Sequence, residues 1–241
     1  MKEWFYDEMR QIGTDYESEE EVQKYDERMS RFRNIDAEIV EIMEATGLKD
    51  EDTLVEFGCG TGTFAIASAR ICSRVTAVDI SPVMLGHVKN KAATAGLSNI
   101  SFINAGFLNY EHSGDPADVV VSQLALHHLP DFWKMVALKK IGSMLKTGGR
   151  FFLRDIVFSI NMEKYEKSID YAVGHMHETA GEDTGKNFIN HIKSEYSTFD
   201  WIMEEMLYRA GFEILMADYR DNFVTVYSCV KVQSGKEKAA V

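Results

Sequence analysis

The chain reads as an α/β protein: a doubly wound, mostly parallel seven-stranded sheet with an antiparallel C-terminal hairpin, plus a helical cap. Three observations predict this. Short apolar runs alternate with helical patterns between residues 53 and 157, as repeated βαβ units require. A glycine turn, Gly58-Cys59-Gly60-Thr61-Gly62, follows the first run and opens a helix. The last two runs, 212–219 and 223–231, are joined only by Arg220-Asp221-Asn222, a connection so short that it forces antiparallel pairing.

Taken in order, apolar residues at helical spacing (Met29, Phe32, Ile35, Ile39, Ile42, Met43) predict an amphipathic helix over 26–44. Strands follow at 53–57, 75–79, 100–104, 118–123 and 150–157. Helices fall at 62–72, at 81–95 with Ser81 as N-cap and Pro82 at its first position, and at 131–145. The near-continuous apolar run at 118–123 is that of a strand buried on both faces. Residues 158–199 break the rhythm, being polar and helical in tendency, and form the expected cap. A helix at 199–210, with an N-capping hydroxyl from Ser197 or Thr198 and Trp201 in the core, leads into the hairpin. The domain plan is an N-terminal helical lid (1–46), a core (47–158 and 200–232), a cap insertion (159–199) and a disordered tail (233–241).

At 241 residues and 45% hydrophobic content the chain can bury one large core. Its net charge of −12, with Lys and Arg scattered, argues against a phosphate-tracking surface. Nucleic acid is therefore not the expected partner. No run approaches the roughly 18 apolar residues of a membrane span, and the N-terminus lacks an apolar export segment. Three widely spaced cysteines without a CxxC pair suit free thiols in a reducing cytosol. A cytoplasmic protein without membrane contact is expected.

The glycine turn and the run ending at Asp79, about twenty residues on, together point to a nucleoside cofactor, because a carboxylate there can accept hydrogen bonds from a ribose diol. Glu56 adds a second carboxylate at the end of the first strand. Acids at two places, with no cradle for phosphate, suit S-adenosylmethionine, which carries a sulfonium, an ammonium and a ribose. From about residue 48 to residue 232 the sequence resembles the class I (seven-stranded, Rossmann-like) S-adenosylmethionine-dependent methyltransferases of small-molecule type, on Glu56, the G-x-G-x-G turn, Asp79, Ser81-Pro82 and the terminal hairpin.

The resemblance implies that Glu56 faces the methionine end, that Gly58, Cys59, Gly60, Thr61 and Gly62 form the turn against the cofactor, and that Asp79, Ile80 and Met84 border the ribose. It implies that Ala105, Gly106 and Phe107 lie along the adenine, that Gln123 and Leu124 border the cofactor, with core packing the alternative for Leu124, and that Tyr25, with Arg28, closes over the methionine carboxylate, the alternative being a surface helix with Tyr25 half-buried. The family often has an acidic residue where this chain has Gly106. That departure leaves the adenine edge to backbone groups or to Asn104. S-adenosylhomocysteine would be the product.

Methyl transfer is an in-line displacement that depends on alignment and exclusion of water. A base for the acceptor is sought in Ser122-Gln123-Leu124-Ala125-Leu126-His127-His128, and His127 and His128 are the catalytic candidates. The alternative is that they satisfy backbone groups and shape the pocket. His175-x-His177-Glu178 offers metal-ligand types, but i, i+2 spacing separates them on a helix, so no metal is expected. His191 and Tyr165 are read as pocket-lining residues, and Arg154-Asp155 as a buried pair that organises the cap.

The expected function is transfer of a methyl group to a small organic acceptor at O, N, S or C, with homodimerisation left open. The alternatives are a tRNA- or protein-modifying methyltransferase and a non-catalytic S-adenosylmethionine-binding protein. A nicotinamide dehydrogenase is disfavoured by Glu56 and the hairpin.

Overall fold

The computed structural model describes residues 2–10 and 33–233. Strands β1 (Thr53–Phe57), β2 (Arg74–Asp79), β3 (Ile100–Asn104), β4 (Ala117–Gln123) and β5 (Leu145–Phe158) run parallel, and β7 (Phe212–Arg220) and β8 (Val224–Lys231) close the sheet antiparallel. The order is β3-β2-β1-β4-β5-β8-β7, with the two-residue β6 (Thr198–Phe199) beside the end of β5. The chain order therefore reverses direction between β1 and β4, where open α/β sheets bind ligands beyond their carboxyl ends.

Adjacent strand residues feed opposite cores, as a period of two requires. Leu54, Val75, Ala77, Val119 and Val121 face helices α1 (Ile35–Thr46), α2 (Thr63–Ser68) and α3 (Pro82–Thr94) through Ile42, Phe64, Ala65, Leu85 and Val88. Val55, Phe57, Val78 and Val120 face α4 (Asp131–Met144) and α7 (Asp200–Arg209) through Leu138, Ile141, Met203 and Leu207. Each large side chain so buried contributes roughly 1.5–3 kcal/mol.

The cap between β5 and β6 is two helices, α5 (Tyr165–Ala180) and α6 (Glu182–Ser194), broken at Gly181. Several boundaries differ from the pattern for identifiable reasons. Helix α2 stops at Ser68, whose hydroxyl bonds back to the carbonyls of Phe64 (2.9 Å) and Ala65 (3.1 Å) and competes with continuation. Helix α1 begins after Asn34, which accepts the Ala37 N–H at 3.2 Å. The 26–32 part of that expected helix, and the tail from 234, lie outside the described residues.

Two further expectations are corrected. Thr198 does not cap α7, because its hydroxyl donates to Asp131 Oδ2 at 3.1 Å. Trp201 is not in the core, being 66% exposed. Helix α1 packs on the sheet rather than over the strand ends: Glu38 and Glu41 meet Arg154 there, each at 2.6 Å.

Candidate active site

A cavity opens at the carboxyl ends of β1–β4, lined by Gly58, Gly60, Asp79, Ile80, Met84, Ala105, Gly106, Phe107, Gln123, Leu124 and His128 among the expected residues. Phe57, Ala125 and Leu129 complete its floor. Its outer wall, Tyr6, Glu8 and Arg10, comes from the N-terminal segment.

The glycine turn holds the cavity open by close approach. Gly58, at φ +66°, has its α-carbon turned toward Ala125, so that a Cβ would collide with the Ala125 methyl. Gly60, at φ +53°, has open space where its Cβ would stand, and its N–H donates to Asp79 Oδ2 at 2.8 Å. The other Asp79 oxygen accepts from Ser81 N at 2.8 Å. Burial raises the Asp79 carboxyl, while these backbone donors lower it. Each carboxylate oxygen still has lone pairs for a further donor.

Glu56, Cys59, Thr61 and Gly62 stand behind the turn and do not line the cavity. Glu56 is buried, and its Oε2 has no partner among the described residues. Burial, then the charge of Asp79, pushes this carboxyl well above the usual range, against the Ala65 N–H. Two buried acids without a cation between them among the described residues fit a ligand that brings positive charge. Burial with these two acids also pushes the Cys59 thiol up, which suits packing rather than nucleophilic use. Gly62 starts α2 in a left-handed conformation. Tyr25 and Arg28 lie outside the described residues.

At β3, Asn104 is committed elsewhere: its amide donates to the carbonyls of Asp79 (3.0 Å) and Ile80 (2.9 Å). Phe107 stacks on Phe57 at 4.9 Å between ring centres. The space that a Cβ at Gly106 would fill is taken by the carboxylate of Glu8, which accepts from Leu108 N and Asn109 N, both at 2.8 Å. Trp4, Phe5 and Tyr6 hold this segment down around Trp133 of α4, with Trp4 stacked on it at 6.2 Å. Only the aromatic cluster Trp4-Phe5-Tyr6 hinted at such a wall in the sequence.

The paired histidines separate. His128 borders the cavity, with its Nδ1 buried and unpartnered among the described residues, and burial together with the charge of His127 lowers its pKa to about 3. His127 is turned inward: Nδ1 meets Asp155 Oδ1 at 2.5 Å and Nε2 meets Glu195 Oε2 at 3.2 Å. Burial would lower its pKa, but Asp155 and Glu195 override it and hold His127 at about 9. His191 of α6 pairs through Nδ1 with Glu195 and through Nε2 with Ser197 Oγ at 2.6 Å.

Arg154 and Asp155 are thus not a mutual pair. As neighbours on a strand they point to opposite faces, Arg154 to Glu38, Glu41 and Gln123, and Asp155 to His127. Asp155 and Glu195 carried no motif, and the one available signal was a charged pair ending a buried strand. Leu124 adds a strained backbone at φ +50° on the cavity rim.

The family described as "Methyltransferase domain" matches residues 54–149. An uncharacterized methyltransferase of Bacillus cereus is 26% identical over 201 residues, covering 83% of this chain and 88% of that protein. A solved S-adenosylmethionine-dependent methyltransferase of Aquifex aeolicus superposes with a TM-score of 0.62 at 14% identity over 89% of this chain and 99% of the other. The N-methyltransferase NodS of Bradyrhizobium japonicum, solved with S-adenosyl-L-homocysteine, gives 0.59 at 15% identity over 82% and 87%. With its G-x-G-x-G turn at the β1/β4 reversal and its antiparallel β8–β7 closure, the chain has the Rossmann-like fold of these solved methyltransferases, and its residues 54–149 match the methyltransferase-domain family.

Proposed function

We propose that this protein binds S-adenosylmethionine in the β1–β4 cavity and transfers its methyl group to a small organic acceptor. The observation that carries the reading is the pair of buried acids at the glycine turn, Asp79 on the cavity and, behind it, Glu56 with an oxygen that has no partner among the described residues. Asp79 accepts the ribose hydroxyls, the backbone of Gly58 and Gly60 lies against the cofactor, and Glu56 balances the cationic methionine end. Ile80, Met84, Ala105 and Phe107 supply apolar contact to the nucleoside. Glu8, seated against Gly106, offers an acceptor oxygen near the adenine edge, where the chain's own third loop has none.

Few groups are needed for the chemistry beyond alignment and exclusion of water. Gln123, Leu124 and His128 form the side on which the acceptor would enter. His128 meets it as a neutral imidazole, since its low pKa disfavours holding a proton near neutrality. His127, fixed between Asp155 and Glu195, positions its neighbour and ties the cap to β5. The net charge of −12 supports a small molecule over tRNA as acceptor.

Titration calorimetry with S-adenosylmethionine tests the donor reading, and binding of NAD in its place would overturn it. A mass-spectrometric search for molecules gaining a methyl group in cell extract tests transfer. Binding without any methylated product would leave a sensor role instead.

A further inference from the structure

We propose that His127, His128 and Glu195 form a binding site for one first-row divalent metal ion, with an open coordination position toward the cavity. One ring nitrogen each of His127 and His128 and a Glu195 carboxylate oxygen lie within 4.8 Å of one another. Ligands held at about 2.0–2.2 Å from a common ion stand roughly 3.4 Å apart, so closure asks for movements of about 1 Å. Two imidazoles and one carboxylate are a donor set for zinc and its neighbours.

Two features point to more than a structural lock. The Nδ1–H of His127 donates to Asp155 at 2.5 Å, so a metal ion that displaces the proton on Nε2 would sit between that nitrogen and the Glu195 carboxylate 3.2 Å away. Such an arrangement calls for a cation between them, and the carboxylate on the far nitrogen is the support that metal-binding imidazoles carry. A proton on His127 would also serve. It leaves unexplained the second feature, the buried Nδ1 of His128, which meets no hydrogen-bond partner among the described residues. A metal ion uses both nitrogens. His191 and Ser197 then form the support behind Glu195.

The site joins the sheet to the cap, since Asp155 ends β5 while Glu195 follows α6. His128 borders the cavity beside Leu129 and Ala125, so the open position is reached from there. A hydroxyl or thiol acceptor binding the ion would lose its proton to solvent more readily. Its lone pair would then form the new bond to the methyl carbon, while the carbon–sulfur bond breaks and its electrons stay on sulfur as the neutral thioether. This role rests on the methyl-transfer reading, whereas binding of the ion does not.

The test is calorimetric titration of the tag-free, chelator-stripped full chain with Zn2+, with Co2+ absorbance as a second readout. One ion per chain is expected, with affinity at least tenfold lower in His128→Ala and Glu195→Gln and unchanged in the double variant His175→Ala/His177→Ala. Thermal unfolding of each variant reports an intact fold. If Glu195→Gln does not fold, His128→Ala decides alone, because its Nδ1 has no hydrogen bond to lose among the described residues. Absence of binding to the wild-type chain, binding unchanged in both cluster variants, or loss in the His175/His177 variant would overturn the site. Zinc binding that persists where the cofactor fails to bind would uphold the site and overturn the donor reading.

Discussion

Buried acids stand both at the glycine turn and beneath the cap, but they are compensated differently. At the glycine turn, Asp79 and Glu56 are buried against backbone N–H groups with no cation beside them among the described residues, and burial raises both carboxyls. At the cap, Glu195 is buried against two imidazoles, and their hydrogen bonds outweigh burial and lower its pKa. Uncompensated buried charge is unstable until a cationic ligand arrives, whereas compensated charge fixes geometry. One site is therefore built to receive a charged molecule. The other holds two elements in register.

The comparison breaks most decisively at Asp79. Replacing it by Ala removes the acceptor for Gly60 N and Ser81 N together with that for the ribose, losses of about 1–3 kcal/mol each. The expected fall in S-adenosylmethionine affinity is about 100-fold by calorimetry. An affinity within threefold of wild type would place the ribose elsewhere. Gly58→Ala probes the same site sterically: its left-handed backbone costs about 1–2 kcal/mol, and collision with the Ala125 methyl adds about 1 kcal/mol or more. Urea unfolding should show that loss, and Ala125→Gly should recover only the collision part.

The two sites also differ in how far the sequence disclosed them. The turn and Asp79 lie 19 residues apart within one βαβ unit, so glycine spacing and a terminal carboxylate report them together. The sheet was legible for the same reason, each strand and its helix being local patterns. His127 and Asp155, 28 residues apart, meet only because β4 and β5 pair, and Glu195 arrives from an insertion without periodic constraint. The Glu8 wall bridges about 100 residues to Leu108. No local pattern marks such contacts, which is why Arg154-Asp155 read as one pair when strand alternation sends its members to opposite faces.

Glu56 supplies a pH signature in cofactor binding. Its carboxyl lies well above 4.5 in the free protein, because of burial and then Asp79, whereas a cationic ligand favours the ionised form. Binding should therefore release a proton, and affinity should rise with pH from near the usual carboxylate range up to the raised value, at most tenfold per unit, then level off. The free chain should lose stability over the same window, since ionising a carboxylate with a raised folded pKa is disfavoured. Glu56→Gln should flatten both profiles. A slope retained in that variant would assign the proton to another group.

The smallest expected effect separates a wall from a ligand-binding group. Glu8 accepts the N–H groups of Leu108 and Asn109 and occupies the space above Gly106. Glu8→Ala removes a charged acceptor from a site where water can partly replace it, so a loss of about 1 kcal/mol, roughly fivefold in cofactor affinity, is expected. Gly106→Asp alone should also weaken binding, because the new carboxylate would fall on that of Glu8. Combined with Glu8→Ala, it should restore affinity, since one acid then stands where one stood before. Such a non-additive cycle is the mark of two positions sharing one space. Additive losses would mean that Glu8 only anchors the N-terminal segment, leaving the adenine edge to backbone groups.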